Sequence, residues 1–365
     1  MPKLLRGPPA PRAVRLPRVV DVRVVVSASD RKARTRSAGA TVARRALLIG
    51  LLAYVALQFG FRQAVLADAL PVADPIWGDK LATLQARPTP PTLLALGSSR
   101  TQLAFDATAF TAATGSDSFN FGTPAGGPAT CNLYLRRLLA AGHRPQTILL
   151  ELHPGFLHPG EPPFEARWLH PYRLRGDEPD RLRSFGWTLP DPPQHGWRGH
   201  LAATSVWRMG LLNEAAPVWL PCPFGLTPTG RGDARGWVPG IDLPPAERAT
   251  ALRRTFTHYA DVLTRYDVGG PGCEAVRDTL ALCRAHGIRG AVLLAPESSE
   301  HRGWYGEAGS AKITAFAASL GVPVIDARDW LPDALIADGH HLTPDGARAF
   351  TGRLAAEWGR GGWAK

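Results

Sequence analysis

The chain has 365 residues, of which 45% are hydrophobic and 20% charged, with 38 Gly and 34 Pro. That is enough apolar material for one large or two ordinary domains, and it excludes a disordered tail protein, a collagen-like repeat and a small disulfide scaffold. The formal charge of +11 belongs to the start of the chain: residues 1–45 hold 12 Lys/Arg against 2 Asp/Glu, and the other 320 residues hold 30 against 29. A nearly neutral body without a basic stripe excludes nucleic acid as a partner.

Residues 1–45 read as a basic, disordered cytoplasmic tail. Residues 46–61 (ALLIGLLAYVALQFGF) carry no charge and one amide, Gln58, between Arg44/Arg45 and Arg62. Extended to residue 66 with Arg62 snorkelling, this run is long enough to cross a bilayer. Basic residues before it set the amino end in the cytoplasm and send the body outward, so the expectation is a single-pass inner (cytoplasmic) membrane protein with a periplasmic or otherwise extracytoplasmic body. A buried core helix and a cleaved leader share this apolar length and stay open as alternatives.

After a linker over residues 67–90, apolar runs alternate with helical patterns. Strands are predicted at 92–96, 118–121 and 146–152, with a helix at 128–141; a second set places helices at 274–286, 309–319 and 344–358 around strands at 290–295 and 322–326. Strand and helix in alternation imply a three-layer α/β/α domain, a doubly wound parallel sheet of about five strands, formed by residues 91–152 and 251–365. Residues 153–250 interrupt it with six of the eleven tryptophans (Trp168, Trp187, Trp197, Trp207, Trp219 and Trp237) and little periodicity, which reads as a long irregular cap insertion over the mouth of the sheet. Such tryptophans either stack on sugar rings or pin loops. Among four cysteines, Cys131 and Cys283 lie in helical patterns, whereas Cys222 and Cys273 lie in Pro/Gly-rich loops and are the pair a disulfide would join. No CxxC is present, and the spacing of His153, His158 and His170 is not that of a metal site, so neither metal nor cofactor is expected.

Two segments carry chemistry. Gly97-Ser98-Ser99-Arg100 ends the first strand at the carboxyl edge of the sheet, where open α/β sheets bind ligands; the same residues also suit an ordinary helix N-cap. Asp338 and His341 stand three apart ahead of the last helix, with Thr343 as its cap and Pro344 at its first position. A serine nucleophile needs a base, and the base needs a carboxylate to hold its tautomer. His340 offers an alternative base. The segment 296–305 after the fourth strand also faces the crevice, and Glu297, Arg302, Trp304 and Tyr305 there, with Arg100 and His153, are the candidate substrate contacts.

These two segments together resemble the SGNH (GDSL-like) hydrolase superfamily over roughly residues 90–155 and 270–360. Gly97-Ser98-Ser99 matches the first block with Ser99 at the nucleophile position, and Asp338, His341, Leu342 and Gly346 match the last. The Gly-Ser-Ser variant is similar to the membrane-anchored branch related to alginate O-acetylation and lipoteichoic-acid D-alanylation proteins. The resemblance implies an anchored serine esterase or O-acyltransferase acting on acyl groups of envelope or exported polysaccharide, with a partner membrane acyltransferase as a further implication. It implies a triad of Ser99, His341 and Asp338, and oxyanion donors at the amides of Ser99 and of Ala125 or Gly126, which follow Asn120. The third block departs from the family: no Asn is present, and Glu151 or His153 stands near its place. That departure supports the alternative of a non-catalytic, anchored polysaccharide-binding protein.

Overall fold

The computed structural model describes residues 32–67, 69–70, 72–189, 196–215, 232–240 and 242–360. Five parallel strands form one sheet in the order β2-β1-β3-β4-β5: β1 (Leu93–Leu96), β2 (Ser118–Asn120), β3 (Thr147–Glu151), β4 (Arg289–Leu294) and β5 (Val324–Asp326). All five lie where the apolar runs place them. Both faces are covered, as expected of a parallel sheet whose crossovers are helical. Leu94, Leu96, Ile148, Leu150, Val292 and Leu294 pack on one face with α5 (Pro128–Ala140), α11 (Gly270–Ala285) and α12 (Ser299–Ser319). The alternate residues Leu93, Ala95, Leu149, Ala291, Leu293 and Ile325 face the other layer, built from α4 (Ala107–Thr114) and α13 (Pro344–Arg360). This period of two on both faces makes the three layers.

Local signals set the helix ends. Asp106 Oδ1 accepts from Ala109 N at 2.9 Å to open α4, and Gly115, at φ 72°, closes it in the left-handed conformation that glycine adopts without strain. Thr343 Oγ1 accepts from Gly346 N at 3.1 Å at the start of α13, as its position before Pro344 predicts.

Several segments differ from the expected organisation. Helix α1 (Lys32–Leu66) begins within the tail expected to be disordered, while residues 1–31 lie outside the described residues. From Ala40 to Leu66 it is long and apolar enough to cross a membrane by length and composition. The linker contains a helix, α2 (Pro75–Gln85), capped by Asp74 and carrying buried Trp77 and Lys80. The insertion is partly helical, with α6 (Glu178–Ser184), α7 (Trp197–Leu201), α8 (Ala203–Val206) and α9 (Arg208–Ala215), and α10 (Pro245–Leu263) crosses its far boundary. Cys273 lies inside α11 rather than in a loop and is a free, buried thiol whose Sγ faces Leu157 O at 3.8 Å. Its expected partner Cys222 lies outside the described residues.

Candidate active site

β1 sits between β2 and β3, so the chain leaves it in one direction and returns on the other side. The crevice that such a reversal opens at the carboxyl ends of the strands receives α3 (Ser99–Ala104), the helix that begins with the candidate nucleophile. Glu151, the last residue of β3, organises this turn. Its buried carboxylate accepts from Ser98 N (2.8 Å), Ser98 Oγ (2.9 Å), Thr101 N (3.1 Å) and Thr101 Oγ1 (2.6 Å). Ser98 Oγ in turn accepts from Arg100 N at 3.1 Å, and Gln102 N reaches Ser98 O at 3.0 Å. Among the described residues the Ser99 amide donates no hydrogen bond. A side chain at Gly97 would meet Thr101 Oγ1 at 2.1 Å and Glu151 Oε2 at 2.5 Å, so only glycine lets the strand end approach the turn so closely.

From the other end of the chain, the loop before α13 brings up the base. Ser99 Oγ lies 2.7 Å from His341 Nε2 although 242 positions separate the residues, and His341 Nδ1 lies 2.8 Å from Asp338 Oδ2. His341 N also donates to Asp338 Oδ1 at 3.0 Å. Burial alone would raise the Asp338 carboxyl, but the neighbouring His341 and His340 rings and the hydrogen bonds from His341 outweigh it and hold the group well below the usual carboxylate range. An ionised Asp338 favours the tautomer with the proton on His341 Nδ1, in which the Nε2 lone pair faces the Ser99 hydroxyl. His340 lies beside His341, its ring tilted and the centroids 4.1 Å apart, and burial followed by the neighbouring His341 ring drives its pKa well below 6.5. It has no hydrogen bond to Ser99, so of the two adjacent histidines the structure presents His341 to the hydroxyl.

Facing the Ser99 turn is the loop after β2. Thr123 N donates to Gly97 O and Gly126 N donates to Thr123 O, both at 3.0 Å. The Gly126 amide is therefore engaged within its own turn, whereas Ala125, half-buried at φ 55°, has its N–H free of such a bond. A left-handed backbone at a residue with a Cβ costs about 1–2 kcal/mol, strain of the kind that gathers at functional loops. Glu165, from the insertion, accepts from Ala129 N, Thr130 N and Thr130 Oγ1 and so holds the first turn of α5 directly behind this loop. Asn120, the residue at the end of β2 before the loop, is fully buried and ties the loop to α3. Its Nδ2 donates to Thr101 O, Gln102 O and Phe105 O, and its Oδ1 accepts from Gly122 N.

The expected substrate contacts divide differently. Arg100 and Glu297 are both buried and joined to each other, Nη1 to Oε1 at 2.9 Å, and Arg100 Nη2 also donates to Ala295 O at 2.6 Å. They tie the nucleophile turn to the end of β4 and offer nothing to a ligand. Burial opposes the charge on Glu297, yet Arg100 and then His301 hold its carboxyl far below the usual range. Arg302 is likewise turned inward, donating to the carbonyls of Glu297 and Arg328, and Trp304 is packed between Phe256 and His301. Tyr305 donates to Glu297 Oε2. His153 is buried; its Nδ1 accepts from Gly155 N at 3.0 Å, and burial, followed by Arg100, lowers its pKa well below 6.5. It is therefore neutral with its proton on Nε2.

Of the insertion tryptophans, Trp187 and Trp207 are buried and Trp237 donates through Nε1 to Leu103 O, so these act as pins. Trp219 lies outside the described residues. Trp168 instead lines, with His170, Tyr172 and Arg173, a cavity of about 370 Å³ that reaches Pro124 and Ala125. His170 lies flat against Tyr172, their rings 5.4 Å apart.

Among the described residues, one set brings metal-ligand atoms together, Asp338, His340 and His341, within 4.8 Å of one another. Both ring nitrogens of His341 are already engaged, one by Asp338 and one by Ser99, which does not suit a metal ion. His153, His158 and His170 turn their rings to different neighbours, Tyr259, Tyr266 and Tyr172. The role of Glu151 has a visible trace in the sequence, an acidic residue closing an otherwise apolar strand. Compared with known protein families the chain matches none, and no curated protein matches it.

Proposed function

We propose that the protein is a membrane-anchored serine esterase or O-acyltransferase with an SGNH-like site. The observation that carries this reading is the unbroken relay from Ser99 Oγ through His341 to Asp338 at the carboxyl edge of the sheet. Ser99 Oγ attacks an acyl carbonyl while its proton passes to His341 Nε2, and Asp338 stabilises the imidazolium. The oxyanion that forms is received by the amides of Ser99 and Ala125. His341 then returns its proton to the leaving alcohol, giving an acyl-Ser99 ester. A water or a sugar hydroxyl, deprotonated by His341, attacks that ester and frees Ser99. Hydrolysis and transfer differ only in this last acceptor.

The aromatic cavity beside Ala125 supports a glycan as the acyl-bearing or accepting partner, since Trp168 and Tyr172 offer faces for sugar rings and the charged rim offers partners for hydroxyls. With α1 as the anchor and the basic residues before it, the body lies on the outer side of the cytoplasmic membrane, where acylated envelope polysaccharide and a membrane acyltransferase would be its partners. The intact relay argues against the non-catalytic alternative. The test is labelling of the full chain in detergent by a fluorophosphonate. Wild type should be labelled, and Ser99→Ala and His341→Ala should not; labelling that survives Ser99→Ala, or a wild type that resists the probe yet binds acylated glycan, would refute the hydrolase reading.

A further inference from the structure

Gln58, the single amide in the apolar run of α1, is not turned toward lipid. It is 2% exposed, and its Oε1 accepts from Thr204 N at 2.9 Å and from Thr204 Oγ1 at 3.2 Å. One turn on, Phe61 meets the edge of Trp207 at 6.0 Å, and one turn further Val65 is buried with Ala203 and Trp207. Residues 58, 61 and 65 share one helix face, so the last turns of α1 are docked on α8 of the insertion. The apolar stretch from residue 40 up to Gln58 is eighteen residues, about 27 Å of helix, enough for the hydrocarbon core. The docked turns then fall at the headgroup level.

The segment just before Thr204 is built for that level. In α7, Trp197 is 68% exposed and Leu201 45% exposed, four residues apart and hence on one face. Trp197 is the most exposed large hydrophobic residue outside α1 among the described residues. Leu70, just past α1, and Phe59, on its undocked side, are exposed as well. Trp is enriched where a protein meets the membrane interface, and a pair of large apolar side chains on one short helix face is costly to leave in water.

We propose that α7 lies in the outer interface of the bilayer, with Trp197 and Leu201 inserted at the boundary of headgroups and acyl chains, so that the body rests on the membrane through the insertion rather than hanging from a free tether. The lipid surface is chosen as occupant because Trp197 and Leu201 stand seven and three residues before Thr204, which holds Gln58 at the end of the apolar stretch of α1. The cavity that Ala125 lines also has Val72 in its wall, a residue packed in the same cluster as Val65 at the docked foot of α1, and it would open close to the lipid headgroups. The proposal rests on the anchored reading above.

The test uses the full chain, one copy per nanodisc, in phosphatidylcholine brominated on its acyl chains or left unbrominated. Subtracting the fluorescence of Trp197→Phe from that of wild type isolates Trp197, and Leu52→Trp reports the membrane-crossing stretch. Insertion predicts at least about a twofold loss of the Trp197 signal on bromination, because an interfacial helix buries its apolar face several ångströms into the acyl boundary. Leu201→Trp in the Trp197→Phe background should lose as much. Quenching of Leu52→Trp with none at 197 or 201 would overturn the proposal while leaving the anchor in place. No quenching at any of the three would remove the anchor and the proposal together. Trp197→Phe should label with fluorophosphonate as fast as wild type, which separates this surface from the hydrolytic reading.

Discussion

Glu151 is the residue on which the geometry of the nucleophile turn depends. Its carboxylate holds two backbone amides and two hydroxyls at once, and Arg100 Nε stands 3.7 Å from Oε1. Glu151→Ala would strand the amides of Ser98 and Thr101 in a buried position, each costing about 1–3 kcal/mol, and would remove a carboxylate from beside a buried guanidinium. The expected loss is about 4 kcal/mol, a large share of the 5–15 kcal/mol typical of a domain. Glu151→Gln behaves otherwise. Its amide oxygen can occupy the position of Oε2 and keep Ser98 N, Thr101 N and Thr101 Oγ1, while its NH2 turns to Ser98 Oγ. What is lost is the charge, and hydrogen bonds to a charged acceptor are roughly twice as strong as neutral ones, so the cost should be about 2 kcal/mol. Urea unfolding of the full chain in detergent, followed by tryptophan fluorescence, reads both values. Fluorophosphonate labelling should persist within about tenfold in the Gln variant and fall by about a hundredfold in the Ala variant, as a displacement of about 1 Å at the nucleophile suffices for that. Equal stability losses in the two variants, or an Ala variant that labels like wild type, would refute the role assigned to this carboxylate.

Asp338→Asn should lower aryl acetate hydrolysis by about 10⁴ with little change in KM, because His341 then loses the partner that fixes its tautomer; steady-state kinetics decides. Lys80 is buried between Asn120 O and Gly236 O, and burial drives its ammonium down to about 7 from the ordinary 10.5. Between those values the unfolded chain holds a proton that the folded one has released, so stability should rise with pH across this window by up to about 1.4 kcal/mol per pH unit. Lys80→Met should flatten that rise in urea titrations at pH 7.5 to 10, and an unchanged slope would assign it to other groups. Trp207→Ala, at a fully buried pin, should cost about 3–5 kcal/mol and lower Tm. Trp168→Ala, on the cavity wall, should weaken glycan binding in calorimetry while leaving aryl acetate hydrolysis within about twofold.

The sheet and the relay were legible in the chain because each rests on a local pattern. Apolar runs such as Leu93–Leu96 and Thr147–Glu151, separated by helical periodicity, are enough to specify buried parallel strands. Ser99 follows a strand and His341 precedes a capped helix, and in a parallel sheet both points fall on the same edge whatever the details between them. The partners of charged groups are another matter. Arg100 and Glu297 look like ligand contacts in sequence, yet the register of β1 beside β3 and of β3 beside β4 closes them on each other in the interior. Gly126 and Ala125 were equivalent as donors until the turn at Thr123 engaged one amide and left the other. Gln58 reads as a flaw in a membrane helix, and Lys80 as part of a linker, until Thr204 and the carbonyls of Asn120 and Gly236 arrive from residues 40 to 156 positions away. Periodicity is a property of neighbours along the chain. The satisfaction of a buried polar group is a property of whatever the folded backbone brings within about 3 Å of it, and that depends on packing between distant segments.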